Sequence, residues 1–337
     1  MKNIIRPYYF IYKDLVRKRY ELVLDNNIFV DHWYRPYADW FNRFINYHIN
    51  NKYNRKVYFY NTFVAPKFLR KKENGIKIFF ASENLEPYLK YINVKESEDV
   101  TRANQYFNHI RNNFKDYAIN EVDLTIGCFV NKKSDKYIRL PGWILYLFKP
   151  ESTYEDIKEK IYQVNNIQKI PKYGKATVIN SHDKWGTRSK ICDDIKEYID
   201  IEYAGRWRNN TNDLKIKYND DKIKYMSNFK FNICAENMDA SEYVTEKLIQ
   251  AFMAGTVPIY HGAFNNPCPD FILRDGIIFW DYNDDNYYNL KLLSELIQNE
   301  NLYFKFLNQP KFTEYTIEYI YMIFMSMKNK IELLINQ

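Results

Sequence analysis

Between Glu242 and Gly262 the chain reads "EYVTEKLIQAFMAGTVPIYHG", with Glu242, Glu246 and Lys247 crowded just ahead of an apolar run. A lysine in the first turn of a helix adds a full charge to the unpaired N–H groups and partial positive charge that every helix N-terminus offers. Such a place suits a phosphate or a pyrophosphate. Glu246 could not bind phosphate there, whereas a carboxylate beside such a site accepts hydrogen bonds from sugar hydroxyls. A solvated helix face accounts for the same letters, with a dipole contribution under about 1 kcal/mol.

A second cation, Arg188, stands in "WGTRSKICDDI" near an expected strand-to-helix turn. Its guanidinium could hold two phosphate oxygens at once, and a helix-start surface arginine is the plain alternative. The five histidines, His32, His48, His109, His182 and His261, are scattered, and only His182 lies just ahead of Arg188. No Asp-x-Asp occurs in the chain. A metal-bridged diphosphate is therefore not expected, and side-chain cations must do the neutralising.

These residues need elements to place them. "FKFNICAEN" reads as a buried parallel strand, "MDASEY" as a polar turn, and "VTEKLIQAFMAG" as a helix closed by Gly255. Tyr243 to Lys247 thus fall at the carboxyl end of a strand, where open α/β folds bind ligands. Earlier come the strand-like runs "NIFVDHW", "KVYFYNTF", "IKIFFASEN" and "VDLTIGCF", with helical spacing of Trp40, Phe41, Phe44, Ile45 and Ile49 between the first two. The stretch from Lys67 to Gly75 reads as a loop and Lys95 to Phe114 as a helix. After "PESTYEDIKEKIYQVNNIQKIPKY", which carries the expected domain boundary, strands and helices alternate again, ending in one or two helices.

Apolar residues make up 46% of the 337, enough for two cores. The net charge of +7 favours anionic partners without choosing among them. Neither an RNA-recognition signature nor a helix-turn-helix pattern is present, so nucleic acid is not an expected partner. Cys128, Cys192, Cys234 and Cys268 lie far apart with no Cys-x-x-Cys pair, which fits reduced thiols in a cytoplasmic protein. No run approaches a membrane span, and the opening residues lack a signal-peptide core. Peripheral contact with a membrane surface stays compatible with the charge.

The block "FKFNICAENMDASEYVTEKLIQAFMAGTVPIYHG" closely resembles the signature of the α1,3-fucosyltransferase family: a strand ending in Glu-Asn, then Tyr-Val/Ile-Thr-Glu-Lys, a helix, and Val/Ile-Pro-Ile/Val-Tyr-x-Gly. "KIFFASEN" resembles that family's strand ending in Gly-Glu-Asn. "DLTIGCFVNKKSDKYIRLPGW" resembles its aspartate-led strand with Arg-x-Pro, and "YIDIEYAGRWRNN" the segment ahead of its donor site. The similarity runs from about Ile28 to about Trp280. It departs at Ala235, in place of an aromatic, at Ser82, in place of glycine, and at His261, in place of a frequent tryptophan.

The resemblance implies an α/β protein of two facing Rossmann-like domains, the GT-B type: residues 1–155 for the acceptor, and residues 156–337, with the terminal helices, for GDP-fucose. It implies inverting transfer of L-fucose to the 3-hydroxyl of GlcNAc in a β-galactosyl-N-acetylglucosamine type oligosaccharide. No cofactor is required, and a divalent ion would only stimulate. Arg188 and Lys247 are assigned to the diphosphate, and Asn237, Tyr243 and Glu246 to the rest of the donor. Glu236 matches either as a site residue or as a buried structural one. Glu83, ending "KIFFASEN", is assigned as the base, with Glu86 and Asp123 as weaker choices. A related transferase with another GDP-sugar or an unusual acceptor, and a catalytically silent sugar-binding protein of the same fold, are the alternatives.

Overall fold

A computed structural model describes residues 6–31, 33–86, 98–129, 134–167 and 169–337. It divides into two units: among the described residues, one runs to Tyr154 and resumes at Tyr319–Gln337, and the other is Glu155–Glu318.

In the first unit, strands β1 Glu21–Leu24, β2 Asn27–Val30, β3 Lys56–Asn61, β4 Gly75–Ala81, β5 Leu124–Gly127 and β6 Tyr137–Arg139 lie side by side in chain order. β1 and β2 form an antiparallel hairpin; every later pair is parallel. Parallel strands must be covered on both faces, and β2 and β5 are accordingly buried along their whole length. The helix Arg35–His48 carries Pro36 in its first turn, where a missing N–H costs nothing, and buries Trp40, Phe41, Phe44 and Ile45. The N-terminal helix Arg6–Val16, the strands β1 and β6, and the short helices Pro66–Leu69, largely within the expected loop, and Ile144–Leu147 were not anticipated.

The expected division also differs at the C-terminus. The last helix is Tyr315–Asn336, and from Tyr319 onward it belongs to the first unit. Phe324 meets the Trp40 and Phe44 rings edge-on at centroid distances of 5.7 and 5.8 Å, and Asn336 Nδ2 donates to Asn50 O at 3.0 Å. Ile320, Ile323, Phe324, Met327, Ile331 and Ile335 form its buried stripe at helical spacing, each contributing about 1.5–3 kcal/mol.

In the second unit, β7 Tyr173–Val178, β8 Ile201–Tyr203, β9 Phe229–Ala235, β10 Val257–His261 and β11 Ile278–Phe279 form a wholly parallel sheet in the order β11-β10-β9-β7-β8. The chain lays β8 on one side of β7 and then crosses back to lay β9 on the other. The strand order therefore reverses between β7 and β9, and the loops leaving their carboxyl ends diverge there. Helix Thr187–Ile195 follows β7 and helix Glu246–Ala254 follows β9. The latter ends at Gly255, left-handed at φ 68°, as its glycine requires. Among the described residues no helix is long and apolar enough to cross a membrane.

Candidate functional site

Immediately after β9 the Glu236 carboxylate is buried, and three donors surround it. Its Oε1 accepts the Thr245 N–H at 2.8 Å, and its Oε2 accepts the Thr245 hydroxyl at 2.6 Å and the Lys247 ammonium at 3.1 Å. Lys247 Nζ also reaches Thr245 Oγ1 at 2.8 Å and stands 3.4 Å from Glu246 Oε1. Burial alone would favour a neutral Lys247, but the Glu236 and Glu246 charges outweigh it and hold the ammonium charged. Burial likewise opposes the Glu246 charge, and Lys247 with local hydrogen bonds brings its carboxyl below the ordinary value. Glu236 is therefore the partner that locks Lys247 in place. Gly262 makes room for it: a Cβ there would lie 2.6 Å from Glu236 Cγ.

Arg188 joins the two diverging loops. It is buried; Nη1 donates to His182 O at 2.5 Å, while Nη2 donates to Ala235 O at 3.2 Å and to Asn237 Oδ1 at 2.8 Å. Among the described residues its Nε has no partner. Burial lowers its pKa, against the opposing charges of Asp183, Glu236 and Glu246. His182 is held well toward its neutral form, with a pKa of about 4, by burial and by the Arg188 and Lys184 charges. Tyr243 lies buried in the turn ahead of helix Glu246–Ala254, its N–H donating to Ala240 O at 3.1 Å.

The sheet reversal thus brings together all five expected donor-side residues, Arg188, Asn237, Tyr243, Glu246 and Lys247. It also alters the expected chemistry in two ways. At helix Thr187–Ile195 the Asp183 carboxylate accepts the Arg188 N–H at 3.1 Å and the Ser189 N–H at 2.7 Å, so two donors of that helix start are already engaged. At helix Glu246–Ala254 the Thr245 N–H is engaged by Glu236. Both loops meet their own carboxylate first, so positive potential for an anion rests on Arg188 and Lys247 more than on bare helix ends. Asp183 and Thr245 were missed in the sequence. Asp183, ahead of Gly186 and Thr187, reads there as an ordinary loop aspartate.

Beside this, β10 ends in a strained turn. Ala263, Phe264 and Asn265 all have positive φ, at 52°, 53° and 51°, each costing on the order of 1–3 kcal/mol. The buried Asp239 carboxylate holds the turn by accepting the Phe264 N–H at 2.6 Å, and Asn265 Nδ2 donates to Trp280 O at 3.1 Å. His261, at the departure from the family pattern, is buried with Nδ1 2.8 Å from Trp280 O.

In the first unit Glu83 lies half-buried just past the carboxyl end of β4. Its neighbours are anchored: Ser82 Oγ is 2.9 Å from Thr62 Oγ1, Asn84 Oδ1 accepts the Glu86 N–H at 2.9 Å, and Glu86 accepts the Tyr117 hydroxyl at 2.7 Å. Burial raises the Tyr106 phenol, with Arg17 opposing and Asp14, Asp31 and Glu83 adding to the rise. Asp123 is elsewhere. It precedes β5, and its carboxylate accepts the Lys77 N–H at 2.8 Å. That is the amino end of the sheet, opposite Glu83, and removes Asp123 as a choice of base.

Among the described residues no group of three or more His, Cys, Asp or Glu side chains could hold a metal ion.

Residues 169–328 match the family described as glycosyltransferase family 10 (fucosyltransferase), C-terminal part. The chain is 30% identical over 135 residues to the alpha-(1,3)-fucosyltransferase FucT of Helicobacter pylori, covering 40% of this chain and 27% of that protein. It is 29% identical over 154 residues to the 4-galactosyl-N-acetylglucosaminide 3-alpha-L-fucosyltransferase 9 of Bos taurus, covering 45% of this chain and 40% of that one. The matches thus span less than half the length of these curated relatives. A solved alpha1,3-fucosyltransferase superposes with a TM-score of 0.52 at 20% identity over 81% of this chain and 78% of its own, and an alpha1,3-fucosyltransferase solved with GDP-fucose gives 0.51 at 20% identity over 82% and 78%. These superpositions show the fold, two α/β units of the GT-B type. The match to the family's C-terminal part spans the second sheet and every donor-side residue above, and over that part the chain is similar to α1,3-fucosyltransferases.

Proposed function

We propose that the protein is an inverting α1,3-fucosyltransferase that moves L-fucose from GDP-fucose to the 3-hydroxyl of GlcNAc in a β-galactosyl-N-acetylglucosamine type glycan. The observation that carries this is the Arg188–Asn237 bond beside the Glu236–Lys247–Glu246 cluster at the sheet reversal, inside the matched residues 169–328. The names of the relatives and the GDP-fucose in one superposed structure support the donor and acceptor classes. In the reaction, the Glu83 carboxylate takes the proton of the acceptor hydroxyl, and that oxygen attacks the anomeric carbon of fucose. The bond from that carbon to the phosphate oxygen breaks, GDP leaves with the electron pair, and Arg188 and Lys247 offset its growing charge. Attack opposite the leaving group inverts the anomeric centre. Tyr243 and Glu246 border the ribose or fucose.

GDP should raise the melting temperature measurably and GMP much less, since the cations are assigned to the diphosphate. UDP and CDP should rank below GDP, and GDP-fucose above GDP-mannose. Equal shifts from GDP and GMP would remove the diphosphate from this site, and a preference for GDP-mannose would move the reading to another GDP-sugar.

With side-chain cations in place of a metal bridge, transfer should persist in EDTA even where a divalent ion speeds GDP release. Complete, metal-reversible loss in chelator would show that ligands have been misassigned. We also propose a cytoplasmic location, since the four cysteines are buried and none is in a disulfide; fractionation of the source cells checks this.

A further inference from the structure

The N-terminal helix Arg6–Val16 packs on the first unit through Phe10 and Asp14. Phe10 meets the Tyr106 and His109 rings at 5.3 and 5.8 Å, the Asp14 carboxylate lies 2.7 Å from His109 Nε2, and Arg17, just beyond the helix, pairs with Asp31 at 3.0 Å. The outward face is the apolar one. Tyr9, Ile11, Tyr12, Leu15 and Val16 form a single exposed stripe, with Tyr12 and Leu15 at 62% and 65% exposure. Tyr20 and Val23, on and beside the edge strand β1, are exposed as well. A surface helix normally shows the reverse arrangement, and contiguous exposed apolar area marks a contact surface.

Charge around the stripe says what the contact is. Lys67 donates to Leu15 O at 2.6 Å and Arg17 O at 2.8 Å, so the run that follows it, Arg70, Lys71 and Lys72, leaves from the helix's carboxyl end. Arg70, Lys71, Lys72 and Lys18 are exposed, and among the described residues none has a carboxylate partner. Lys13 sits on the helix itself, 4.9 Å over the Tyr9 ring. The acidic groups nearby are spent internally: Asp14 on His109, Asp31 on Arg17, and Glu21 and Glu73 on Arg19. What faces outward is an apolar stripe rimmed by uncompensated cations.

We propose that this face lies on an anionic lipid surface, with the Tyr12–Leu15 stripe in the headgroup region and the Lys67–Lys72 cations against lipid phosphates. Aromatic and aliphatic residues beside lysines are what an interfacial helix presents. A second copy of the chain fits worse, because a self-complementary contact would set the same cations against each other.

The test is cosedimentation with vesicles of phosphatidylcholine containing about one third phosphatidylglycerol, against vesicles of phosphatidylcholine alone. Binding should occur to the anionic vesicles, weaken with salt, and fall more than about tenfold in Tyr12→Ser/Leu15→Ser. Lys71→Glu/Lys72→Glu should weaken it while flattening the salt dependence, and both variants should keep the parent melting temperature, because the replaced side chains are exposed. Equal binding to both vesicle types, no binding to either, or no effect of the two double substitutions overturns the proposal. So does a concentration-dependent dimer that Tyr12→Ser/Leu15→Ser disperses, since that would assign the face to a second copy.

Discussion

In Glu83→Gln, transfer should fall by roughly two to four orders of magnitude while affinity for GDP stays within a factor of about two. Glutamine keeps the size of the side chain and can still accept a hydrogen bond, but it cannot take the acceptor proton. Glu83 belongs to the first unit, past the end of β4, whereas every residue assigned to GDP belongs to the second. Single-turnover transfer, GDP titration and a melting curve on one preparation separate the outcomes. Lost transfer with intact GDP binding and an unchanged melting temperature supports the base. A lowered melting temperature would make Glu83 a strand-end cap, and near-normal transfer would pass the role to Glu86, which shares the loop and already accepts the Tyr117 hydroxyl.

Lys247→Met should lose both stability and GDP, for different reasons. Removing the ammonium leaves the buried Glu236 carboxylate with only its two Thr245 donors, and an uncompensated buried charge costs about 3–5 kcal/mol. It also removes a charge-assisted contact to the diphosphate, about 1.5–3 kcal/mol, or roughly 10- to 150-fold in GDP affinity. The double variant Glu236→Gln/Lys247→Met distinguishes the two effects. With the orphaned charge gone, its melting temperature should return most of the way to the parent's, while GDP affinity stays low. Recovery of both would reduce Lys247 to a structural partner of Glu236; recovery of neither would mean that Glu236 serves the donor in its own right.

The segment from Phe229 to Gly262 was the most readable part of the chain, because each level agreed. A fully buried parallel strand must be an apolar run, the helix after it must carry an apolar face, and Gly255 must close it left-handed. Once that strand is placed beside β7, Arg188 and Asn237 have to meet. Partnership inside the cluster was not readable: a buried Glu236 and a solvent-facing one are the same letter, and so is an Asp183 that caps a helix. Asp123 shows the complementary error. Both it and Glu83 border apolar strands, but only the direction of the chain through the sheet separates a residue at the carboxyl end of β4 from one entering β5. The N-terminal helix escaped because most of its apolar residues are exposed while Phe10 and Asp14 face inward, which a periodicity reading cannot orient. The last helix was assigned to the wrong neighbours for a related reason: a stripe such as Ile320 to Ile335 reports that a helix is covered, never by which sheet.

That last helix also sets an order of events. During synthesis the strands β1–β6 emerge first, yet Phe324, Met327, Ile331 and Ile335, which complete their unit, are made only after the whole of residues 155–318. Residues 155–318 form an uninterrupted stretch and can close while the ribosome is still working, whereas the first sheet waits with Trp40 and Phe44 lacking their Phe324 cover. A stop codon before Tyr319 would thus unmake the part of the protein encoded farthest from it.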